Sequence, residues 1–479
     1  MGDGLTLTTK ICHKTSNSAA KRRISMNNQS SHVDVVVVGA GFAGLTAARD
    51  LRKAGVSVVV LEADDRVGGR SMPGTLAGYV VDLGGQWTGS NQTHLLNLAK
   101  EFGVKTYPQY IEGEHILDVT GREARYKEGD DLPLEPADVA EFNRLMGELD
   151  VLIGKVDVTA PGAVEGAAGL DAQTFESWLQ GATTSEPARA VFRVIAQTVY
   201  CVEPGQLSPF AVMFYNGANE GMGHMIGTVG GAQETLFVGG AWQMASKMAE
   251  ELGDAVIVNA PVRSIAQTDD GVTVTSDAGV WTASLAVVAC APPMAARISY
   301  TPPMPPRRDA FTQRMPMGSV IKMHVAYQTP FWRDKGLTGS ILSDRTVTGF
   351  WMEHTVPGVE TGGMVGLTGG GYAQAWAERS PEERRAQALE DLATYLGPEA
   401  KNPIEYVEQS WPAAPWQRGA YWAMPTPGTL TAFGEALRAP VGRIHWAGTE
   451  TADENIGYID GAIQSGERVA GEIVKQLKP

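Results

Sequence analysis

A buried strand that leads directly into a glycine-rich turn constrains the fold of this chain more than any other feature. The sequence VVVVGAGFAGLTAARD covers residues 35–50 and combines a β-branched run, a G-x-G-x-x-G turn and apolar residues at helical spacing. In such a turn Gly39 permits the sharp bend, Gly41 lets a pyrophosphate approach the backbone, and Gly44 lets helix and strand pack closely. Because the helix N-terminus offers free N–H groups to phosphates, the segment predicts a dinucleotide-binding α/β unit.

The next predicted strand, residues 56–61, ends in an acidic residue, Glu62. An acid at this distance from the glycines can accept a hydrogen bond from a ribose hydroxyl of the dinucleotide. The same carboxylate would repel a 2′-phosphate, because both groups are negatively charged. The position of Glu62 therefore disfavours NADP as the ligand.

Two further glycine-rich turns extend the predicted cradle. The first, EADDRVGGRS at 62–71, flanks its glycine pair with Arg66 and Arg70, and the second, DLGGQWTG at 82–89, contains Trp87. Two arginines beside a glycine turn can grip a second stretch of phosphate and ribityl chain. A dinucleotide whose isoalloxazine ring lies deep in the protein requires such an extended cradle, so these turns indicate FAD rather than NAD.

Composition argues against several other classes of ligand. The formal net charge of −15 disfavours nucleic acid or an anionic membrane as the main partner. Three widely spaced cysteines, Cys12, Cys201 and Cys290, indicate neither a disulfide framework nor a metal site. No apolar run reaches the length that spans a bilayer, so we expect a soluble protein. The cysteine usage further indicates the cytoplasm. Residues 1–32 are expected to form a disordered extension.

The order of the predicted elements indicates two interleaved units. Residues 267–288 are typical of a β-meander with hairpin turns at DDG and DAG, residues 130–249 are mostly helical in pattern, and 319–351 alternate like strands. Helices are predicted over 380–396 and over the last apolar repeat, 459–473. The strands of the first unit are thus separated along the chain by segments of the second.

With these motifs and three later segments, the chain resembles the flavin amine oxidases, the family of monoamine oxidase and putrescine oxidase. Residues 237–265, 315–332 and 440–473 are similar to motifs of that family and follow in the same order. The resemblance implies an α/β (α+β) fold in which a Rossmann-like FAD-binding domain is discontinuous and holds an inserted substrate-binding domain. We expect the FAD-binding domain at 33–110, 236–300 and 405–479, and the substrate-binding domain at 111–235 and 301–404.

The resemblance also implies how FAD is held. It places Val262 at the adenine and Trp411 on the flavin, and it directs the last helix at the pyrimidine edge of the flavin, where the helix dipole stabilises negative charge. Ala420 stands where the membrane-bound animal enzymes attach FAD through a cysteine, so we expect non-covalent FAD. The predicted FAD-binding residues are Gly39, Gly41, Phe42, Ala43, Gly44, Glu62, Ala63, Arg66, Gly69, Arg70, Gly85, Gln86, Trp87, Val262, Trp411, Gly448, Thr449, Tyr458 and Ile459.

Three residues are predicted to carry the chemistry. Alternation along SVIKMHVAY places Lys322 and His324 on one face of a strand, opposite an apolar face. By pattern alone Lys322 is a solvated lysine, whereas the resemblance implies that it holds a water molecule against N5 of the flavin. The resemblance further makes Tyr421 and Tyr458 an aromatic cage through which the substrate amine passes.

Aromatic and methionine residues in the substrate half predict an apolar pocket, with neither a carboxylate placed for a second ammonium nor an arginine placed for a substrate carboxylate. We therefore expect a hydrophobic primary amine, a cycloalkyl or arylalkyl monoamine, to be oxidised with O2 and water to an aldehyde or ketone, ammonia and hydrogen peroxide. The predicted pocket residues are Trp87, Thr198, Tyr200, Tyr215, Gln233, Trp332, Trp351 and Tyr421, and Phe214 and Met225 are further candidates.

Three alternatives stay open at this point. The same fold could serve a putrescine or polyamine oxidase or a flavin desaturase, which a carboxylate-lined pocket or an oxygen-independent turnover would reveal. A nicotinamide-linked dehydrogenase would bind NAD in place of FAD. A non-catalytic flavoprotein would bind a partner chain, and no amine would reduce it. Because homodimers are common in the family that the chain resembles, a homodimer is the assembly we consider.

Overall fold

The computed structural model describes residues 31–478, so the expectation of a disordered extension over 1–32 lies outside the described residues except at Ser31 and His32, which begin a strand. The strands, β1 to β20 in chain order, are Ser31–Val38, Val58–Leu61, Pro73–Leu76, Tyr79–Asp82, Trp87–Thr88, Thr106–Pro108, Glu114–Val119, Arg122–Tyr126, Thr235–Phe237, Val256–Ile257, Val262–Gln267, Val272–Ser276, Gly279–Val288, Ser299–Thr301, Val320–Tyr327, Leu337–Ser343, Phe350–Glu353, Gly362–Gly369, Glu405–Ser410 and Ile444–Trp446.

The α-helices are numbered in the same way, and a π-helix, Ala196–Tyr200, directly continues α6. Helices α1 to α15 are Phe42–Lys53, Thr93–Glu101, Pro136–Ile153, Ala167–Asp171, Phe175–Ala182, Glu186–Ile195, Pro209–Gly217, Met222–Ile226, Trp242–Leu252, Pro292–Ala295, Pro306–Thr312, Gly370–Ala377, Pro381–Leu396, Thr429–Phe433 and Ile459–Leu477. Short 3-10 turns lie at Pro161–Ala163, Gly253–Ala255, Arg333–Lys335, Pro398–Lys401, Gly434–Leu437 and Thr449–Thr451. None of the helices within residues 31–478 combines the length and the apolar character that crossing a bilayer requires.

Strand β1 lies at the centre of an eight-stranded sheet. The order is β10-β2-β1-β13-β12-β11-β14, β20 also pairs with β13, and β1 is parallel to both of its neighbours. Val35 and Val37 pack with α1, α9 and α15, whereas Val36 and Val38 pack on the other face with residues of β11, β12 and β13. Because both faces of β1 are covered, its run of valines can be apolar throughout.

Two glycines bring the helices of this layer close to their neighbours. A Cβ added at Gly44 would lie 2.0 Å from the Gly39 carbonyl oxygen, and a Cβ added at Gly466 in α15 would lie 2.5 Å from the Ala43 carbonyl oxygen in α1. Both positions therefore exclude any side chain. The packing role that the glycine motif predicts for Gly44 is confirmed, and α15 confirms the predicted last helix.

A seven-stranded sheet forms the second layer, in the order β19-β15-β18-β17-β16-β7-β8. On one face of β15, Ile321, Met323, Val325 and Tyr327 pack into a core that includes residues of α13. Lys322 and His324 point to the other face, as the predicted alternation requires. The sheet thus presents an apolar face to its helices and a mixed face to the first layer.

Residues 405–410 depart from the predicted division of the chain. They were expected at the start of the last FAD-binding segment, but they form β19 and pair antiparallel with β15 from Ile321 to Ala326. The pairing occupies the outer backbone hydrogen-bonding groups of β15, which leaves β19 itself as the sheet edge. The other predicted elements are confirmed: β11 to β13 form the meander, and Ser380 caps α13 through a capping box with Glu383.

Candidate active site

A long cavity of about 890 Å³ lies between the two sheets. Lys322, Tyr421 and Tyr458, the predicted catalytic residues, all line it. The predicted FAD-binding residues that line the same cavity are Gly39, Gly41, Phe42, Ala43, Glu62, Ala63, Gly69, Arg70, Gly85, Gln86, Trp87, Val262, Trp411, Gly448, Thr449, Tyr458 and Ile459. The fold therefore brings the separate sequence motifs together around one space.

The glycine turn after β1 is shaped to receive an anion. Gly39 has a φ of +103°, a backbone conformation that residues with a side chain rarely adopt. A Cβ added at Gly41 would meet nothing within 4 Å, so the backbone before α1 is open towards the cavity. In the described chain no side chain caps the N-terminus of α1, which leaves its N–H groups available to a phosphate.

Glu62 lies directly after β2 and braces this turn. Its Oε2 accepts a hydrogen bond from the Ala40 N–H at 2.6 Å, and its Oε1 accepts one from the Asp64 N–H at 2.9 Å. Burial raises the pKa of Glu62, because the charged form loses its hydration. A carboxylate has further lone pairs, so Glu62 can still accept a ribose hydroxyl from the cavity side.

The two arginines of the second glycine turn have different roles. Arg66 was expected to grip the ligand, but it lies outside the cavity lining and donates hydrogen bonds to the carbonyl oxygens of Val67, Gly69 and Ser71 at 2.8–3.2 Å. The donors of its fork-shaped guanidinium are directed at carbonyl oxygens of its own loop and do not reach the cavity. Arg66 therefore fixes the shape of the turn, and Gly44 likewise lies behind the lining as a packing residue.

Arg70 does line the cavity, and a buried acid that the sequence analysis missed holds it there. Arg70 Nη1 donates to Glu450 Oε1 at 2.6 Å and Arg70 Nη2 donates to Glu450 Oε2 at 3.1 Å. Arg70 Nη1 also donates to the Tyr421 carbonyl oxygen at 2.7 Å. A bidentate ion pair of this kind fixes both position and orientation of the guanidinium. Glu450 lies far from Arg70 in the sequence, in the segment GTET, so the pairing carries no local sequence signal.

Lys322 is a buried lysine of the cavity wall and not a solvated strand lysine. Its Nζ donates to the Gly84 carbonyl oxygen at 2.7 Å and to Gln86 Oε1 at 2.5 Å, and it lies 5.5 Å from the centre of the Trp87 ring. Burial lowers the pKa of Lys322, and the carboxylate of Asp82 acts in the opposite direction. The third glycine turn thus provides the acceptors that hold this amine.

Asp82, at the end of β4, is a second acid that the sequence analysis did not single out. Its Oδ2 accepts from the Ala241 N–H at 2.8 Å and its Oδ1 from the Trp242 N–H at 3.3 Å, at the start of α9. Burial raises the pKa of Asp82, and the charge of Lys322 acts against that shift. Asp82 therefore ties the third glycine turn to the first layer and supplies negative charge near Lys322.

Tyr421 and Tyr458 reach the cavity from two different loops. The Tyr458 carbonyl oxygen accepts a hydrogen bond from Thr449 Oγ1 at 2.9 Å, and Tyr458 directly precedes α15. Burial raises the pKa of both tyrosines, so both phenols are neutral at physiological pH. Trp411 lines the cavity with its Nε1 donating to the Leu83 carbonyl oxygen at 3.1 Å.

Five of the eight predicted pocket residues line the cavity. Trp87, Thr198, Tyr215, Gln233 and Tyr421 line it, as does the further candidate Met225. Three apolar residues of the second sheet join them, Phe350 and Met352 in β17 and Leu367 in β18. Leu367 pairs with Lys322 on one side and with Phe350 on the other, so the three share one face of the sheet.

Tyr200, Trp332 and Trp351 were expected to line the pocket, and the structure places all three outside it, as it does Phe214. Trp351 points to the opposite face of β17 from Phe350 and Met352, because side chains alternate along a strand. Trp332 packs in the core of that opposite face and donates from Nε1 to Glu353 Oε2 at 2.8 Å. Tyr200 lies behind Tyr215, with ring centres 5.6 Å apart.

Charged side chains are distributed unevenly along the cavity. Among the described residues of the lining, the arginines are Arg70, Arg263, Arg297 and Arg418, and apart from Glu62 the carboxylates are Glu128, Asp130 and Asp131. Glu128 Oε2 lies 3.1 Å from His115 Nε2, near the start of β7. Since β7 is four strands away from β15, the strand of Lys322, the two strands lie roughly 19 Å apart at about 4.8 Å per strand.

The residues present fit FAD. The glycine turn and α1 offer N–H groups for a diphosphate, Glu62 offers an acceptor for a ribose, and Arg70 offers a fixed cation. Gln86 is 2% exposed, and its Nε2 has no hydrogen-bond partner among the described residues, although Gln86 lines the cavity beside Lys322. Such a buried donor requires an acceptor, which the polar edge of a flavin would provide.

One long cavity is lined by a dinucleotide-binding turn, a buried lysine and two tyrosines. This combination is that of a flavoprotein oxidoreductase. The family model of the flavin-containing amine oxidoreductases matches residues 42–474 of the chain. A probable flavin-containing monoamine oxidase A of Dictyostelium discoideum is 38% identical over 450 residues, which cover 94% of this chain and 99% of that protein. This chain belongs to the flavin-containing amine oxidoreductase family.

Solved structures agree with this assignment. A putrescine oxidase bound to putrescine matches with a TM-score of 0.89 and 37% identity, over 93% of this chain and 100% of the other. Cyclohexylamine oxidase from Brevibacterium oxydans matches with a TM-score of 0.89 and 33% identity, again over 93% and 100%. The predicted family, fold class and FAD cofactor are confirmed, and the chain is an oxidoreductase.

Proposed function

We propose that this enzyme oxidises hydrophobic primary monoamines, with cycloalkyl and arylalkyl amines as the favoured class. O2 and water are the co-substrates, and an aldehyde or ketone, ammonia and hydrogen peroxide are the products. The observation that carries the proposal is the apolar wall of Phe350, Met352 and Leu367 on the same sheet face as Lys322. An uncharged organic group packs against such a wall, whereas a second ammonium or a carboxylate would lose hydration there.

The main alternative, a putrescine or polyamine oxidase, rests on Glu128, Asp130 and Asp131. Putrescine has five bonds between its nitrogens and spans only about 6 Å. That length is well short of the roughly 19 Å between the strand of Lys322 and β7, beside which Glu128 lies. A diamine whose first nitrogen reaches the tyrosines would therefore leave its second ammonium against apolar side chains.

An amino-acid substrate is disfavoured by the position of the arginines. Arg70 is tied to Glu450 at the cofactor end, and Arg263 and Arg418 line the cavity near Val262 and Trp416. In the described lining, the substrate wall around Phe350 has no guanidinium to receive a carboxylate. A non-catalytic flavoprotein stays a candidate that only a test with amines removes.

The residues of the chain have distinct tasks in this reaction. An alkylammonium has a pKa of about 10.4, so forming the neutral amine at pH 8 costs about 3.3 kcal/mol. The apolar wall lowers this cost because it disfavours the charged form. Tyr421 and Tyr458 line the cavity, where their rings would flank the amine, and Lys322 in the cavity wall would hold a water molecule against the bound cofactor. FAD, when bound, supplies the redox chemistry by accepting the α-hydrogen with its electron pair.

We also propose that FAD is held without a covalent bond. Ala420 directly precedes Tyr421, and of the two cysteines in the described chain, Cys290 lies near the glycine turn while Cys201 is fully buried. Precipitation of the protein with acid should release all of the flavin into the supernatant. Homodimer formation and a cytoplasmic location stay predictions.

Product analysis tests the proposed reaction. With cyclohexylamine or benzylamine, consumption of one O2 should yield one hydrogen peroxide and one ammonia, together with the ketone or aldehyde. Putrescine should be turned over much more slowly at the same concentration. Rapid turnover of putrescine with no turnover of either monoamine would replace this proposal by a diamine oxidase.

A further inference from the structure

A row of buried polar side chains continues from Lys322 away from the cavity, along the same face of the seven-stranded sheet. His324 follows Lys322 on that face of β15, and its ring centre lies 4.8 Å from that of His354, the residue after β17. His324 Nε2 lies 2.9 Å from the Asp82 carbonyl oxygen. His324 is fully buried and His354 is 5% exposed. The substrate chemistry described above uses neither histidine.

Gly363 in β18 explains how the two rings can meet. It pairs with Ala326 of β15, and its carbonyl oxygen accepts a hydrogen bond from the His354 N–H at 2.8 Å. Since β15 and β17 lie on opposite sides of β18, a side chain at position 363 would separate them. A Cβ added there would also lie 3.2 Å from the Tyr79 hydroxyl, so the glycine admits Tyr79 from the β3–β4 hairpin.

Two ring nitrogens along this row, His324 Nδ1 and His354 Nδ1, have no hydrogen-bond partner within residues 31–478. The hydroxyls of Tyr79 and Thr361 lie next to each other at the outer end of the row. Buried polar atoms are otherwise almost always hydrogen-bonded, and ordered water is the usual partner where protein groups do not serve. Two unpartnered nitrogens on neighbouring buried rings, with a pair of hydroxyls beyond them, therefore point to ordered water between the groups.

The outer end of the row approaches solvent. Tyr79 and Thr361 are both half-buried, and the exposed carboxylate of Glu405 accepts a hydrogen bond from the Ala77 N–H at 2.5 Å in the turn before Tyr79. The inner end is Lys322, in the wall of the active-site cavity. The row thus runs from the cavity wall towards the surface at the β3–β4 hairpin.

We propose that His324, His354 and Tyr79, joined by ordered water, form a proton path between Lys322 and solvent that is separate from the route of the substrate. The proposal rests on the proposed oxidase reaction. Oxidation of a neutral amine to an imine removes a hydride from carbon and a proton from nitrogen. Conversion of O2 to hydrogen peroxide takes up that pair of electrons, the hydrogen transferred with it and one further proton. The path carries the nitrogen proton out and returns a proton for the peroxide.

The chemistry of the two imidazoles suits this task. Burial, together with the charge of Lys322, lowers the pKa of His354 to about 3 and holds the pKa of His324 well below its usual value. A neutral imidazole has one donor and one acceptor nitrogen, so it can receive a proton on one side and release a proton on the other. Two charged histidines would instead block further cations.

A crystal structure of the enzyme at high resolution tests the path directly. Ordered water should lie within hydrogen-bonding distance of Nδ1 of His324, Nδ1 of His354 and the Tyr79 hydroxyl. If both Nδ1 atoms contacted only carbon atoms and no ordered water, the proposal would be overturned. This readout does not depend on any activity, so it stands even if the substrate is wrongly assigned.

Kinetics of the holoenzyme provide the second test. Photoreduced enzyme is mixed with O2 for wild type, Tyr79→Phe, His354→Leu and the control Tyr406→Phe. Tyr406 lies in β19 and packs on the opposite face, so its variant makes the same chemical change away from the path. Tyr79→Phe and His354→Leu should reoxidise about tenfold more slowly, with an altered solvent isotope effect. Tyr406→Phe should match wild type.

Equal reoxidation rates and isotope effects in all four proteins would overturn the path. A reduced wild type that fails to react with O2 at all would instead remove the oxidase function. Tyr79→Phe deletes a single oxygen atom and should fold normally. The path can therefore be tested with Tyr79→Phe alone if His354→Leu does not fold.

Discussion

Glu450 holds Arg70 at the wall of the cavity through two parallel hydrogen bonds of 2.6 and 3.1 Å. Glu450 is 1% exposed, and its Oε1 also accepts a hydrogen bond from the Ala423 N–H. Replacing Glu450 by alanine should lower the free energy of unfolding by about 3 kcal/mol, because a partly buried guanidinium loses its counter-ion. It should also speed the loss of FAD. Urea denaturation and flavin release on dilution measure the two effects.

The control for this variant is Asp277→Ala. Asp277 pairs with Arg263 in a similar bidentate geometry, but both side chains are exposed. Exposed ion pairs contribute little, so the control should unfold like wild type. Equal stabilities of Glu450→Ala and Asp277→Ala would show that the buried pair does not support the site.

Glu62→Gln tests the ribose acceptor and carries a pH signature. Loss of the carboxylate should weaken FAD binding by about tenfold or more, because a hydrogen bond to a charged group is lost. Burial raises the pKa of Glu62, so the folded apoprotein binds this proton more tightly than the unfolded chain does. That contribution is complete below the unfolded pKa of about 4.3 and is lost as the pH rises through the higher folded value.

The glutamine variant is neutral at every pH and lacks this dependence. The stability of apo Glu62→Gln relative to apo wild type should therefore increase as the pH rises from acid to neutral. Denaturant unfolding of both apoproteins at several pH values measures the difference, with the exposed Glu360→Gln as control. A constant difference across pH would show that Glu62 is not shifted by burial.

Phe350→Ala and Trp332→Phe separate the pocket from the core behind it. Phe350 lines the cavity, so its truncation should raise KM for cyclohexylamine by about tenfold through lost apolar contact. Trp332 lies outside the lining and donates to Glu353, so its replacement should lower the unfolding free energy by about 1–3 kcal/mol and leave KM unchanged. A raised KM in Trp332→Phe with an unchanged KM in Phe350→Ala would place the substrate on the other face of β17.

The acids near β7 should act only at long range. Combined replacement of Glu128, Asp130 and Asp131 by their amides should reduce kcat/KM for monoamines at low salt and remove its salt dependence, because attraction over such distances is screened within about 10 Å at 0.1 M salt. The control exchanges Asp269 and Asp270, two exposed acids of the β11–β12 turn, for asparagine. A loss confined to putrescine at all salt concentrations would reveal a diamine site at these acids.

The sequence predicted the first layer well because its signals are local. The β-branched strand, the glycine turn and Glu62 each depend on neighbours within one supersecondary unit, and the meander turns are equally local. Glu450, in contrast, acquires its role only when residues 70 and 450 meet in space. Nothing in the short sequence around either residue specifies that contact.

The substrate wall shows the same limit in another form. Trp351 was expected in the pocket, but strand parity directs its neighbours Phe350 and Met352 into the cavity instead. Parity could not be assigned from the sequence, because both faces of β17 are largely buried and the strand has no polar residue among its first three. Arg66 was likewise chosen for its charge, although its donors are used by its own loop.

The central claim, an apolar amine site built on a flavin cradle, is tested most directly by anaerobic mixing of the purified holoenzyme with single amines. Cyclohexylamine or benzylamine should bleach the yellow absorption of the bound flavin completely, putrescine should bleach it much more slowly, and air should restore the colour with release of hydrogen peroxide. A yellow protein that dithionite bleaches but no amine does would contradict the account.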